Sequence, residues 1–430
     1  MPDDLLMTTL SNGLSVKLKE IHTAPIISHW IWYRVGSRNE RPGQTGISHW
    51  VEHMQFKGTP QFPASVLDKA ISREGGIWNA MTFVDWTTFF ETLPAEKFDL
   101  GLRLEADRMV NALYEPEEVA SERTVIISER EGNENEPLFR LGEEIKQAAF
   151  QVHTYRHEVI GYLDDLKTIQ RDDLYGHYQN YYRPNNAVLA IAGDFDAPEM
   201  LARVRELYEA IPAGKTPFTP LAAEPISTKE QQVVVKGPGE TTYVQVAYHA
   251  PQASNRDFFA LTVLDSLLSG PSGLNMFGGG GISNKTSRLY KSLVEKELAV
   301  NVRGGMAATI DPYLYEITMT VHPRKSAKEV ISALDDEIKR LQDHPVSPDE
   351  IARAIKQAKA MFAYGSENIT NQAFWLGYAE MFATYDWFVN FIDHLSAVMP
   401  GDIQQIAQDY LLPDNRIIGT YMPDNDGAED

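Results

Sequence analysis

The chain contains no cysteine. Disulfides and thiolate metal sites are therefore excluded, and any zinc must be held by imidazole and carboxylate groups. No uninterrupted apolar run approaches the length needed to cross a bilayer. The first residues, Met1-Pro2-Asp3-Asp4-Leu5-Leu6-Met7, lack a basic segment followed by an apolar one. No signal peptide is visible, so the cytoplasm is the expected compartment; a chain from which a signal had been removed would look the same and could be periplasmic. Positive charge is in deficit, with 39 Lys and Arg against 60 Asp and Glu and a formal charge of −21. Such a surface repels phosphate backbones and anionic lipid, which argues against nucleic acid or membrane as a partner. It either favours the approach of cationic peptides or only keeps the chain soluble.

What is present is globular in character: 43% hydrophobic and 23% charged residues are the proportions of a soluble protein. With 430 residues the chain exceeds one ordinary core and suggests two to four units. The most informative stretch is Gly46-Ile47-Ser48-His49-Trp50-Val51-Glu52-His53-Met54-Gln55-Phe56-Lys57-Gly58-Thr59. It reads as a helix on which His49 and His53 share a face one turn apart, with Glu52 in reach of the same region. Two neutral imidazoles suit zinc, and a nearby carboxylate that is not a ligand can take a proton from the attacking water. The order His-x-x-Glu-His is the inverted form of the commoner zinc-protease motif. Two unrelated histidines are the plain alternative.

A catalytic tetrahedral site also needs a third protein ligand. Residues 115–131 read as a second helix, with Pro116 near its start and carboxylates in the first turn. Glu122 and Glu129 are seven apart, two turns along one face, and Val125 and Ile126 are expected between them on that inward side.

On these two segments the chain resembles the pitrilysin/insulinase family of zinc peptidases, in the short two-repeat branch that includes the mitochondrial processing peptidases and bacterial relatives. The resemblance spans nearly the whole chain, strongly over residues 43–195 and more weakly beyond. The family's second motif is Glu-Arg-x-Val-(x)3-Glu, whose last Glu is the third zinc ligand and lies about 76 residues beyond the second His; here 129 − 53 = 76, which selects Glu129. The resemblance thus implies one Zn²⁺ per chain on His49, His53 and Glu129, with Glu52 as general base and Glu122 assisting from behind the ligands. It also implies that an edge strand carrying Asn79 and Ala80 pairs with the backbone of a peptide substrate.

The implied fold is α+β: two homologous modules, each a mainly antiparallel sheet covered by helices, facing each other across a cavity. Residues 1–211 would form the module with the zinc site, 212–230 a proline-rich linker, and 231–430 a module without the metal motif. The local patterns agree. Asn12-Gly13 marks a hairpin over residues 8–20, and 26–35 reads as a strand. Residues 63–73 and 95–110 read as helices, 77–92 as two β-rich strands, and 188–192 as a buried strand. After the linker the plan repeats, with strands at 243–249 and 314–321 and helices at 258–269, 326–341 and 348–364.

Three further features carry expectations. His153 and His157 are a rival imidazole pair at helical spacing without an interposed carboxylate. Gly278-Gly279-Gly280-Gly281 is not followed by Gly-Lys-[Ser/Thr], so a mobile loop at the chamber wall is expected rather than a phosphate site. After Ser287-Arg288-Leu289, where the family has an Arg and a Tyr that bind substrate and stabilise the oxyanion, this chain has Val294 and Val300. Neither can donate a hydrogen bond. A related subunit supplying that pair in a heterodimer is the first expectation and a homodimer the second, with Tyr313 or Tyr315 as substitutes from within the chain. The expected function is a zinc-dependent endopeptidase acting on extended peptides or small unfolded polypeptides in an enclosed chamber, as the catalytic subunit of a two-subunit enzyme. A non-catalytic structural or assembly subunit of the same fold is the alternative.

Overall fold

A computed structural model describes residues 5–215, 221–275 and 282–424. The glycine run at 278–281, expected as a mobile loop, lies outside the described residues, as does part of the expected linker. The first hairpin forms where its turn signal stands: β1 (Leu5–Thr9) pairs antiparallel with β2 (Ser15–Glu20), and Gly13 between them takes a φ of +89°, which Gly adopts without steric cost. Four more strands follow: β3 (Ile26–Tyr33), β4 (Ile77–Thr82), β5 (Thr87–Pro94) and β6 (Ala187–Gly193). They complete a six-stranded sheet in the order β1-β2-β6-β3-β5-β4. The second sheet consists of β7 (Gln231–Gly237), β8 (Tyr243–Ala250), β9 (Ala299–Met306), β10 (Tyr313–Val321) and β11 (Arg416–Pro423), ordered β7-β11-β8-β10-β9.

The duplication is exact in topology once β1 is set aside. Each sheet has a single parallel junction, β2–β6 in one and β7–β11 in the other, and every remaining pair is antiparallel. By this correspondence β4 and β9 are equivalent edge strands, each bonded to one neighbour only. A peptide could extend either sheet at such an edge.

The segment 212–230 separates the two sheets in sequence, but the compact units do not follow it. One unit comprises residues 1–131, 157–221 and 367–385; the other comprises 132–156, 222–366 and 386–430. Each therefore takes a helix from the other half of the chain. The helix Ile369–Phe382 covers β3 and β6, with Phe374 edge-on to Trp30 and Trp32 at 5.4 and 5.3 Å. In the other unit the helix Pro137–Ala149 packs on β7, β8 and β11, where Leu141 and Ile145 lie directly over Gly419. A sheet with an apolar face must be covered, and the cover need not come from its own stretch of sequence. Among the described residues no helix is long and apolar enough to cross a membrane.

Candidate metal centre

The helix that bears the imidazoles, α1 (Ile47–Met54), is fixed before it begins. Gly46 has a φ of +86°, and a side chain there would meet the carbonyl oxygen of Ile160 at 2.3 Å. The buried carboxylate of Glu40 accepts the backbone N–H of Gly46 at 2.8 Å and that of Ser48 at 2.9 Å, satisfying amides that α1 cannot pair internally and placing negative charge at its N-terminus. His157 Nε2 lies 2.8 Å from the same carboxylate. His153 Nε2 faces Asp311 instead, so the two rings of the rival imidazole pair turn to separate carboxylates. Ile47, Trp50, Val51 and Met54 turn into the core, which leaves His49 and His53 together on the other side.

The second helix of the site, α2 (Pro116–Asn133), is tied to α1 by Arg123, whose guanidinium lies 4.7 Å from the Trp50 ring centre. The same group donates to the carbonyls of Leu166 and Ile169. The buried residues of α2 are Val119, Glu122, Ile126 and Arg130. Glu129 therefore lies at the rim of the inward face, and Val125, expected to be buried with Ile126, falls one step beyond the rim and is 47% exposed.

These two helices bring three ligand atoms, from His49, His53 and Glu129, within 4.8 Å of one another. Glu129 Oε1 is 3.9 Å from His49 Nε2, and Glu129 Oε2 is 3.7 Å from His53 Nε2. Ligands of a tetrahedral zinc at about 2.0–2.1 Å stand a little over 3 Å apart, so the donor set fits the ion with a small contraction. His53 Nδ1 is held 2.8 Å from Glu122 Oε1, which leaves Nε2 turned to Glu129. Lys57 forms an ion pair with the second oxygen of Glu122.

Burial and neighbouring charges shift these groups in different directions. Burial, reinforced by the neighbouring His53, pushes His49 down to about 3, so its ring is neutral. For His53, burial is outweighed by the hydrogen bond to Glu122 and the charges of Glu52, Glu122 and Glu129, and its pKa is raised. Burial also acts against ionisation of Glu122, but the bonds from His53 and Lys57 prevail and hold it below the ordinary carboxylate value. Glu52 is pushed up to about 7 by burial, against the effect of a hydrogen bond from Thr82. That bond, from Thr82 Oγ1 to Glu52 Oε2, measures 2.6 Å.

Asn79 and Ala80 lie on the edge strand β4, opposite Phe90 and Phe89 of β5, with Asn79 exposed and Ala80 half-buried. The site thus assembles His49, His53, Glu129, Glu122 and Glu52, with β4 packed beside α1. Sequence reading missed Lys57 and Thr82. Lys57 was visible as the only cation within five residues of His53 on its C-terminal side, and Thr82 as the residue two beyond Ala80 on the same strand face. In the second unit, Val294 and Val300 stand as read, Val300 being 57% exposed on β9. Tyr315 is fully buried and donates its hydroxyl to Asp265 at 3.0 Å, and Tyr313 is buried against Phe150 and Tyr155.

Comparison with known proteins identifies the family and the fold. Residues 15–162 match the family described as Insulinase (Peptidase family M16), and residues 168–358 match the Peptidase M16 inactive domain. An uncharacterised zinc protease of Streptomyces coelicolor is 26% identical over 415 residues, 94% of this chain and 86% of that protein. The zinc protease PqqE of Helicobacter pylori is 30% identical over 294 residues, 67% of this chain and 63% of that protein. A crystal structure of a protease from Helicobacter pylori superimposes with a TM-score of 0.90 at 24% identity, covering 97% of this chain and 99% of that one, and so shares its fold.

Proposed function

Because the chain belongs to the insulinase family, peptidase family M16, we propose that it is a zinc-dependent endopeptidase that hydrolyses extended peptides, with His49, His53 and Glu129 as the zinc ligands. The observation that carries this reading is the meeting of three ligand atoms within 4.8 Å beside a buried carboxylate, Glu52, that is not one of them. When bound, Zn²⁺ supplies Lewis-acid polarisation of a carbonyl and makes water more acidic. Glu52 takes the proton of the attacking water and returns it to the nitrogen of the leaving amine. Glu122 holds His53 in the tautomer that presents Nε2. Asn79 and Ala80 align the substrate by strand addition at β4, where main-chain bonds give affinity with little demand on sequence.

We further infer a two-subunit enzyme in which this chain carries the metal and a related subunit supplies the hydrogen-bond donors that Val294 and Val300 lack. Tyr315 favours that arrangement over a substitute from within the chain, because its one proton is committed to Asp265. The same valines favour the second reading, a non-catalytic subunit, although such a subunit has no need of an intact His49, Glu52, His53 and Glu129. Zinc analysis together with cleavage of a quenched peptide, with and without a related partner chain, separates the two. Stoichiometric zinc with cleavage supports the endopeptidase. Stoichiometric zinc and no cleavage in either condition supports the structural subunit.

A further inference from the structure

Glu52 has two carboxylate oxygens, and they stand in different surroundings. Oε2 accepts the hydroxyl proton of Thr82 at 2.6 Å, with both residues buried. The direction of that bond follows from its acceptor, because an ionised carboxylate has no proton to give. Thr82 Oγ1 is 3.3 Å from Thr87 Oγ1, and Thr87 donates its own single proton to the carbonyl of Val35 at 2.8 Å. A hydroxyl has one proton, so Thr87 offers Thr82 only lone pairs and is a second, more distant acceptor; the Thr82 proton goes to the charged and nearer oxygen of Glu52.

Thr82 is also the last residue of β4, paired with Thr87 at the end of the β4–β5 ladder. Alternation puts Trp78, Ala80 and Thr82 on one face of that strand. At the other end of this face the Trp78 ring stands 4.8 Å from Phe56, just past the C-terminal end of the metal helix. The strand is therefore fastened to α1 and its continuation at both ends, by a ring contact and by a hydrogen bond to Glu52.

We propose that Thr82 is a positioning residue: it pins Oε2 of Glu52, so that Oε1 alone moves the proton, and it couples the base to the strand that the substrate extends. This rests on the endopeptidase reading. Oε1 takes a proton as the water oxygen bonds to the scissile carbon, and gives it to the amine nitrogen as the C–N bond breaks; the Thr82 proton stays where it is throughout. A carboxylate freed from Thr82 can rotate about its last side-chain torsion, and misplacement on the scale of an ångström is costly in such a step.

The test uses the zinc-loaded full chain, with its partner if activity requires one, and the variants Thr82→Val, Thr82→Ala and Thr82→Ser. Valine keeps the shape without the hydroxyl, and alanine removes the hydroxyl without placing a new methyl against Glu52. Both are expected to lower kcat by about 10-fold to 100-fold while KM and zinc affinity, the latter by chelator competition, change by no more than about twofold, and serine is expected to restore most of kcat. In the metal-free chain at alkaline pH, where Glu52 is ionised, the carboxylate infrared band assigned to Glu52 by subtraction of Glu52→Gln should shift in the valine and alanine variants and not in serine. A wild type that cleaves with variants of unchanged kcat overturns the role of Thr82 and leaves the endopeptidase standing, as does an unshifted band. A zinc-loaded wild type that cleaves nothing removes both.

Discussion

His53 Nδ1 lies 2.8 Å from Glu122 Oε1, on the opposite edge of the ring from the nitrogen that faces Glu129. The carboxylate accepts the ring proton, so the unprotonated nitrogen is the one available to a metal. Lys57 keeps Glu122 charged from its other side. Replacing Glu122 by Ala should therefore weaken zinc binding by about 10-fold to 100-fold without removing a ligand. Chelator competition measures this directly, and an unchanged affinity would show that His53 is oriented by packing alone.

Glu52 makes a prediction of opposite sign for stability and for turnover. Burial raises it to about 7, so in the metal-free chain the fold favours its neutral form. The sign follows from linkage: that contribution is fully present below the unfolded value of 4.5 and is lost as pH rises through about 7. Metal-free Glu52→Gln should accordingly be more stable than the wild type at pH 8, by about 3 kcal/mol, and similar to it at pH 4. Urea unfolding at the two pH values checks this. With zinc loaded, the same variant should keep its metal and lose turnover by about 100-fold to 10,000-fold.

Much of this was legible in the sequence because it is local. The spacing of His49 and His53 on one helix, the heptad from Glu122 to Glu129 and the Asn12-Gly13 turn each depend on residues within seven positions of one another. What periodicity could not reveal is where an element goes. The helix Ile369–Phe382 is apolar nearly all round, which announces burial but not the sheet that it covers. The parallel pairing of β2 with β6 is likewise set by packing across more than 160 residues. Val125 was misjudged for a smaller reason: a helical face is an arc, and the boundary of the arc was not visible until the neighbour of α2 was known.

Gly377 tests whether the exchanged helix is an integral part of the unit that holds His49, His53 and Glu129. A Cβ at this position would stand 2.2 Å from the Trp32 ring, which is fully buried among Trp86, Phe374 and Tyr378. Helix propensity alone favours Gly377→Ala by about 1 kcal/mol. Overpacking opposes it by about 1–3 kcal/mol, and the clash should win, giving a lower melting temperature. Gly176→Ala, in the helix Arg171–Tyr181 with nothing within 4 Å of the new methyl, should be neutral or stabilising. A Gly377→Ala chain as stable as Gly176→Ala would mean that the helix is not seated on Trp32.

His177 ties acid stability to the base of the metal helix. Its Nε2 is 3.3 Å from Ser48 Oγ, and burial, aided by the charge of Arg41, pushes its pKa down to about 3. A depressed histidine stabilises the fold fully above its unfolded value of 6.5 and loses that contribution as pH falls toward about 3. Each pH unit in that interval costs about 1.4 kcal/mol, so the loss at pH 4.5 is roughly twice that. In His177→Gln the side chain can still meet Ser48 but takes up no proton. Urea midpoints of the metal-free wild type and variant should therefore run parallel above pH 7 and diverge below 6.5, the wild type falling faster. The other histidines with depressed pKa values, His29, His49 and His249, titrate in both chains and cancel in the comparison. Curves that stay parallel down to pH 4.5 would mean that water reaches the His177 ring and that the seat of α1 is looser than its contacts describe.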